Sequence, residues 1–121
     1  IKPEMVRRGQ VILALSNPNP EIRPEVAMAA GAAFATDGRS VNNILGFPGI
    51  FRGAIDTRSP YISNEMYLAA SEAIASKTPP GEVMPNSLDK AVHRAVAAAV
   101  ARKAIEQGIA QVDFVPYAEE R

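Results

Sequence analysis

Cysteine is absent from the 121 residues, and so is tryptophan. Without thiols there can be no disulfide, no thiolate metal site and no cysteine nucleophile, and the cytoplasm is the expected compartment. An excess of either charge is missing as well: 13 Lys and Arg balance 13 Asp and Glu, for a formal net charge of zero. That removes the sustained positive field on which binding to a phosphate backbone or an anionic bilayer depends, so neither nucleic acid nor membrane is an expected partner. No apolar run approaches the roughly 18 residues of a spanning helix. The opening Ile1-Lys2-Pro3-Glu4 lacks the basic start and apolar middle of a signal peptide. It carries no initiator Met and comes a few residues ahead of a strand, so the chain is expected to be a fragment of a longer polypeptide. The glycine-rich G-x-G-x-x-G loop that holds a pyrophosphate is also missing, so any dinucleotide bound here would be held by the second half of such a fold.

What is present suffices for a core: 47% of the residues are apolar and 21% charged, with no biased tract. Val11, Ile12, Leu13, Ala14 and Leu15 form a continuous apolar run, as in a parallel strand covered on both faces. Prolines 18, 20 and 24 then prevent regular structure until Pro24, which suits the first turn of a helix that stops at Gly31. A second short strand follows over residues 33–36. Strand, helix and strand at this spacing make a βαβ unit, whose ligand crevice lies at the strand carboxyl ends. Asn17 and Asp37-Gly38-Arg39-Ser40 therefore fall on the binding edge.

Residues 42–56 repeat apolar side chains at helical spacing, and Pro48-Gly49 in the middle predicts a kinked helix. Residues 63–76 form another helix, with Ser63 or Asn64 as its cap. Residues 78–86 are the expected linker. Leu88, Val92, Val96, Ala99, Val100 and Ala104 then mark one face of a long helix closing at Gly108. The tail from Gln111 shows no pattern. The fold class is α/β, a partial Rossmann-like parallel sheet followed by C-terminal helices, in one domain or a piece of one.

Chemistry-bearing groups are sparse. His93, the single histidine, has no histidine or cysteine neighbour to complete a metal site or a nucleophile pair, and reads as structural or solvated. Glu21, Glu25, Glu65 and Glu72 are scattered over helix starts and surfaces, and none forms an acid–base pair. The mixed charges of the last helix read as a solvent face. Three amides stand at telling places: Asn17 just past the strand, and Asn42 and Asn43 before a helix. An amide both donates to a carboxylate and accepts from a hydroxyl, which suits a polar ligand without adding charge. Turn formation by Asn17 and helix capping by Asn42 are the ordinary alternatives, and spacing leaves both open.

Taken in order, the stretch from Ala14-Leu15-Ser16-Asn17-Pro18, then Gly38-Arg39-Ser40, then Val41-Asn42-Asn43 and Phe47-Pro48-Gly49-Ile50-Phe51-Arg52-Gly53-Ala54 closely resembles the nucleotide-binding domain of bacterial-type malic enzymes. The later helices look like its continuation, so the resemblance covers nearly the whole chain, 1–121. It implies the oxidative decarboxylation of malate to pyruvate and carbon dioxide, with NAD or NADP taking the hydride and Mg2+ or Mn2+ as Lewis acid and template. By resemblance Asn17 and Asn42 serve the cofactor, and Asn43, with Asn17, serves malate. The family's catalytic tyrosine and lysine and its metal carboxylates are expected upstream of Ile1. Tyr61, Tyr67 and Tyr117 match no catalytic motif, so no catalytic or metal-binding residue is assigned in this chain. Expected partners are malate, the nicotinamide cofactor, the rest of the enzyme and further copies of the same chain. One departure stands out. Family members carry an aromatic-Pro-Asn-Gln stretch between Gly-Arg-Ser and the asparagine pair, whereas here Ser40 runs straight into Val41. The rival expectation is a non-catalytic module whose Ala-rich last helix packs on a partner subunit.

Overall fold

The computed structural model describes residues 1–41 and 43–119, and the chain divides into two compact units, Ile1–Asn42 and Asn43–Arg121. The first begins with a 3-10 turn, Pro3–Met5, followed by β1 (Val11–Ala14), α1 (Pro24–Ala29) and β2 (Phe34–Asp37). Pro24 opens α1 because its ring presets the helical φ and its missing N–H would be unpaired there in any case. Gly31 ends the segment with φ +108°, a conformation that needs glycine. The two strands pair in parallel, with Val11 beside Phe34 and Ala14 beside Asp37. Ile12 and Ala14 pack with Ile22, Ala27 and Ala32 to form the core.

The expectation that β1 is covered on both faces is not met among the described residues. Burial alternates along it, and Val11 and Leu13 remain 63% and 53% exposed. The physical reason is that the sheet has two strands and α1 packs on one face of it; an apolar run alone does not say how many layers cover it.

The second unit begins with a 3-10 turn, Asn43–Leu45, and continues through α2 (Phe47–Asp56), α3 (Asn64–Ser76) and α4 (Lys90–Glu106). The kinked helix expected over 42–56 is a 3-10 turn followed by a separate helix. Pro48 lies in the first turn of α2, where it costs no hydrogen bond, so it starts the helix and does not bend it. Gly49 and Gly53, one turn apart on α2, face α4 at very close range. A Cβ on Gly49 would lie 2.7 Å from the Val96 Cβ, and one on Gly53 would lie 2.5 Å from the Ala97 carbonyl oxygen. Ala54, Met66, Ala70, Val96, Val100 and Ala104 fill the core between the three helices.

The caps follow local chemistry. The Ser63 hydroxyl accepts from the Met66 N–H at 3.1 Å and starts α3, as expected. Asp89 starts α4 by accepting from the Ala91 N–H at 2.8 Å. Leu88, read as part of the buried face, therefore lies ahead of the helix and is 83% exposed. Residues 77–89 carry neither helix nor strand. The tail is tied back at Thr57, which is fully buried. Its carbonyl accepts from the Gln111 and Val112 N–H groups at 2.9 and 3.1 Å, and its hydroxyl donates to the Gly53 carbonyl at 2.8 Å. Further along, the Tyr117 ring receives two guanidinium groups, Arg52 at 5.6 Å and Arg94 at 5.3 Å from its centroid. No helix among the described residues is long and apolar enough to cross a membrane.

Candidate functional site

Because β1 and β2 are parallel and end in register, the segments that follow them leave from one edge of the sheet. They meet there. Gly38 is buried, and a Cβ on it would lie 2.8 Å from the Leu15 carbonyl oxygen and 3.1 Å from both polar atoms of the Asn17 side chain. Only glycine lets the two loops approach this closely. Beyond Gly38 the turn is closed by Asp37, whose carbonyl accepts from the Ser40 and Val41 N–H groups at 3.2 and 3.1 Å and whose carboxylate accepts from the Arg39 N–H at 3.0 Å.

Asn17 lies on this edge with an exposed side chain, and its amide has no hydrogen-bond partner among the described residues. The turn around it is held by other groups. Glu21 reaches back over Asn17-Pro18-Asn19-Pro20 and accepts from the Ser16 hydroxyl at 2.6 Å and from the Ser16 N–H at 3.2 Å. The Ser16 hydroxyl, with the backbone N–H groups of Glu21 and Ser16, holds the Glu21 carboxyl below its ordinary range. Sequence reasoning passed over Glu21 as a helix-start carboxylate. The signal that could have found it was a serine five residues ahead, across a proline-rich turn.

Asn43 opens the 3-10 turn of the second unit. Its side chain is exposed, and its carbonyl accepts from the Gly46 N–H at 3.2 Å. It is not the cap of α2, a place taken by Gly46. Asn42, expected at the cofactor, lies outside the described residues. His93 is half-buried: Nε2 meets the Ser87 carbonyl at 2.8 Å, while Nδ1 is buried with no partner among the described residues. A cleft of about 380 Å³ lies beside it, lined by Pro48, Gly49, Arg52, Lys90, Arg94 and Tyr117. Arg52 is already engaged there by Asp56, which raises its pKa. Among the described residues no group of three or more His, Cys, Asp or Glu is arranged to hold a metal ion.

A parallel βαβ unit with an exposed amide just past the first strand defines the class: part of a Rossmann-like α/β fold. The sequence profile of the family described as malic enzyme, NAD binding domain, matches residues 35–107. The chain is 64% identical over 105 residues to NAD-dependent malic enzyme 1 of Bacillus subtilis, covering 87% of this chain and 24% of that protein. It is 48% identical to the bifunctional malic/malolactic enzyme of the same organism, covering 93% of this chain and 31% of that one. Among solved structures, the malic enzyme from Pyrococcus horikoshii superposes with a TM-score of 0.86 at 40% identity, over 95% of this chain and 29% of that chain. The chain belongs to the malic enzyme family, and it spans about a quarter to a third of the length of these relatives.

Proposed function

We propose that this chain supplies part of the wall between cofactor and substrate in an enzyme that converts malate to pyruvate and carbon dioxide with NAD or NADP and a divalent cation. The observation that carries the reading is Asn17: an exposed amide at a parallel-strand carboxyl end, packed on a glycine no other residue can replace, with its hydrogen-bonding groups unused among the described residues. Such an amide can donate to a carboxylate and accept from a ribose or substrate hydroxyl without placing charge beside a dianion. Asn42 takes the ribose and Asn43 takes malate in the same reading, which rests on the family motif. The nicotinamide, when bound, supplies a hydride acceptor. In this reading the three amides bind and orient, and the groups that move protons come from elsewhere in the enzyme.

The described residues do not fit the metal, since no acidic cluster is present among them. The Mg2+ or Mn2+ ligands and the catalytic tyrosine and lysine are proposed to come from elsewhere in the enzyme. Assembly as a homo-oligomer is proposed from α2, where Phe47, Phe51 and Ile55 stand exposed one turn apart and the two phenyl rings meet, tilted, at 4.7 Å. A cytoplasmic setting is proposed from the cysteine-free composition. The test is malate kinetics of Asn17→Ala in the full-length enzyme. The reading expects kcat/KM to fall about tenfold or more with loss of one hydrogen bond to a charged group; unchanged kinetics would overturn it.

A further inference from the structure

We propose that Glu21 is a positioning residue that presents the Asn17 amide to the ligand, an inference that rests on the reading of Asn17 just given. The geometry is a clasp. The Asn17 loop leaves β1 at Ser16 and returns at Glu21, and one carboxylate closes it by taking both donors of Ser16, the hydroxyl at 2.6 Å and the N–H at 3.2 Å. On the other side the Asn17 side chain rests on Gly38. The amide itself makes no bond that would fix it among the described residues. Its position is therefore set by the backbone that carries it, which the Glu21–Ser16 clasp holds from behind, and by its packing on Gly38. Charge matters in this arrangement: a carboxylate accepts two hydrogen bonds with no donor of its own to misplace, and charge-assisted bonds are about twice as strong as neutral ones. The lowered Glu21 pKa agrees with a carboxylate ionised in the folded loop. Glu21 touches neither malate nor cofactor in this scheme, so it acts only through Asn17.

The experiment is a double-mutant cycle in the full-length enzyme, with Glu21→Gln, Asn17→Ala and the pair, read as KM and kcat for malate together with melting temperature. Glu21→Gln keeps the size and removes the charge. With Asn17 present it should raise KM for malate roughly tenfold, less than the ~hundredfold cost of a 1 Å misplacement of a reacting group, and leave kcat within about twofold. In the Asn17→Ala background the same change should move KM by less than about twofold, because the amide it positions is gone. Any effect on melting temperature should be equal in both backgrounds. An equal kinetic loss in both backgrounds, or none in either, overturns the positioning role while leaving Asn17 in place. An Asn17→Ala enzyme with unaltered kinetics sinks the underlying reading of Asn17 instead. If Glu21→Gln does not fold, Ser16→Ala removes only the hydroxyl side of the clasp, and the same cycle built on it decides between the same outcomes.

Discussion

Single side chains separate two kinds of asparagine. One that caps a helix accepts from backbone N–H groups, and aspartate replaces it without loss. One that meets a dianionic substrate must donate, and aspartate there is worse than alanine because it adds like charge and removes the donor. For Asn43 in the full-length enzyme we expect Ala to lower kcat/KM for malate roughly ten- to a hundredfold, from the loss of about 1.5–3 kcal/mol, and Asp to lower it further. Kinetics and melting curves of both variants decide: an Asp variant with wild-type turnover would assign Asn43 to structure. The three amides could be named from the motif, yet what holds Asn17 could not. Gly38 and Glu21 act through contacts between segments that are distant in sequence or separated by prolines, and no periodicity reports such contacts.

Elements were legible to the extent that their signals are local. Caps, prolines and strand runs placed β1, α1, β2 and α3 within a residue or two, since each is decided by neighbours along the chain. The start of α2 was misread because a proline reads the same in sequence whether it begins a helix or bends one. The start of α4 was misread because Leu88 fits the apolar pattern but Asp89 owns the cap. The α2–α4 contact was hidden in a motif that marked the family resemblance, in which Gly49 and Gly53 serve packing. Gly53→Ala should cost about 3 kcal/mol, at the upper end for overpacking, because its Cβ would press on the rigid Ala97 carbonyl. Gly46→Ala, whose Cβ would meet only the far ends of two flexible side chains, Ile50 at 3.3 Å and Ile74 at 3.9 Å, should cost under about 1 kcal/mol. Chemical denaturation of the two variants makes the comparison, and equal midpoints would contradict the tight seam. Glu65, in the first turn of α3, has its pKa lowered from 4.5 by its own backbone N–H and by the polar side chains of Gln107 and Ser63. A lowered folded value means its contribution is fully present above about pH 4.5 and is lost as the pH falls through the folded pKa. Glu65→Gln should therefore narrow the melting-temperature gap between neutral and acid pH, and an unchanged gap would count against it.

At the scale of the molecule, family membership was readable from the order of its motifs, whereas the division into two compact units at Asn42 and Asn43 was not, because composition does not change there. Exposed Val11 and Leu13 on β1, and Phe47, Phe51 and Ile55 on α2, show that apolar pattern predicts a covered face without naming the cover. The 121-residue chain alone, supplied with malate, either nicotinamide cofactor and Mn2+, should form no pyruvate, since among the described residues no group of three or more His, Cys, Asp or Glu is arranged to hold a metal ion and the catalytic tyrosine and lysine are proposed to come from elsewhere in the enzyme. Cofactor-dependent pyruvate from the purified chain would refute that.

The fit of Gly49 and Gly53 against Val96 and Val100 has a mechanical meaning. Two teeth one helical turn apart sit in two notches with the same pitch, so α4 cannot creep along α2 by one residue without driving a valine into a backbone. The next position that would mesh lies a full turn away, about 5.4 Å, too large a jump for a core that also grips Met66 and Ala70. Any motion within this unit must therefore carry α2 and α4 as one keyed block.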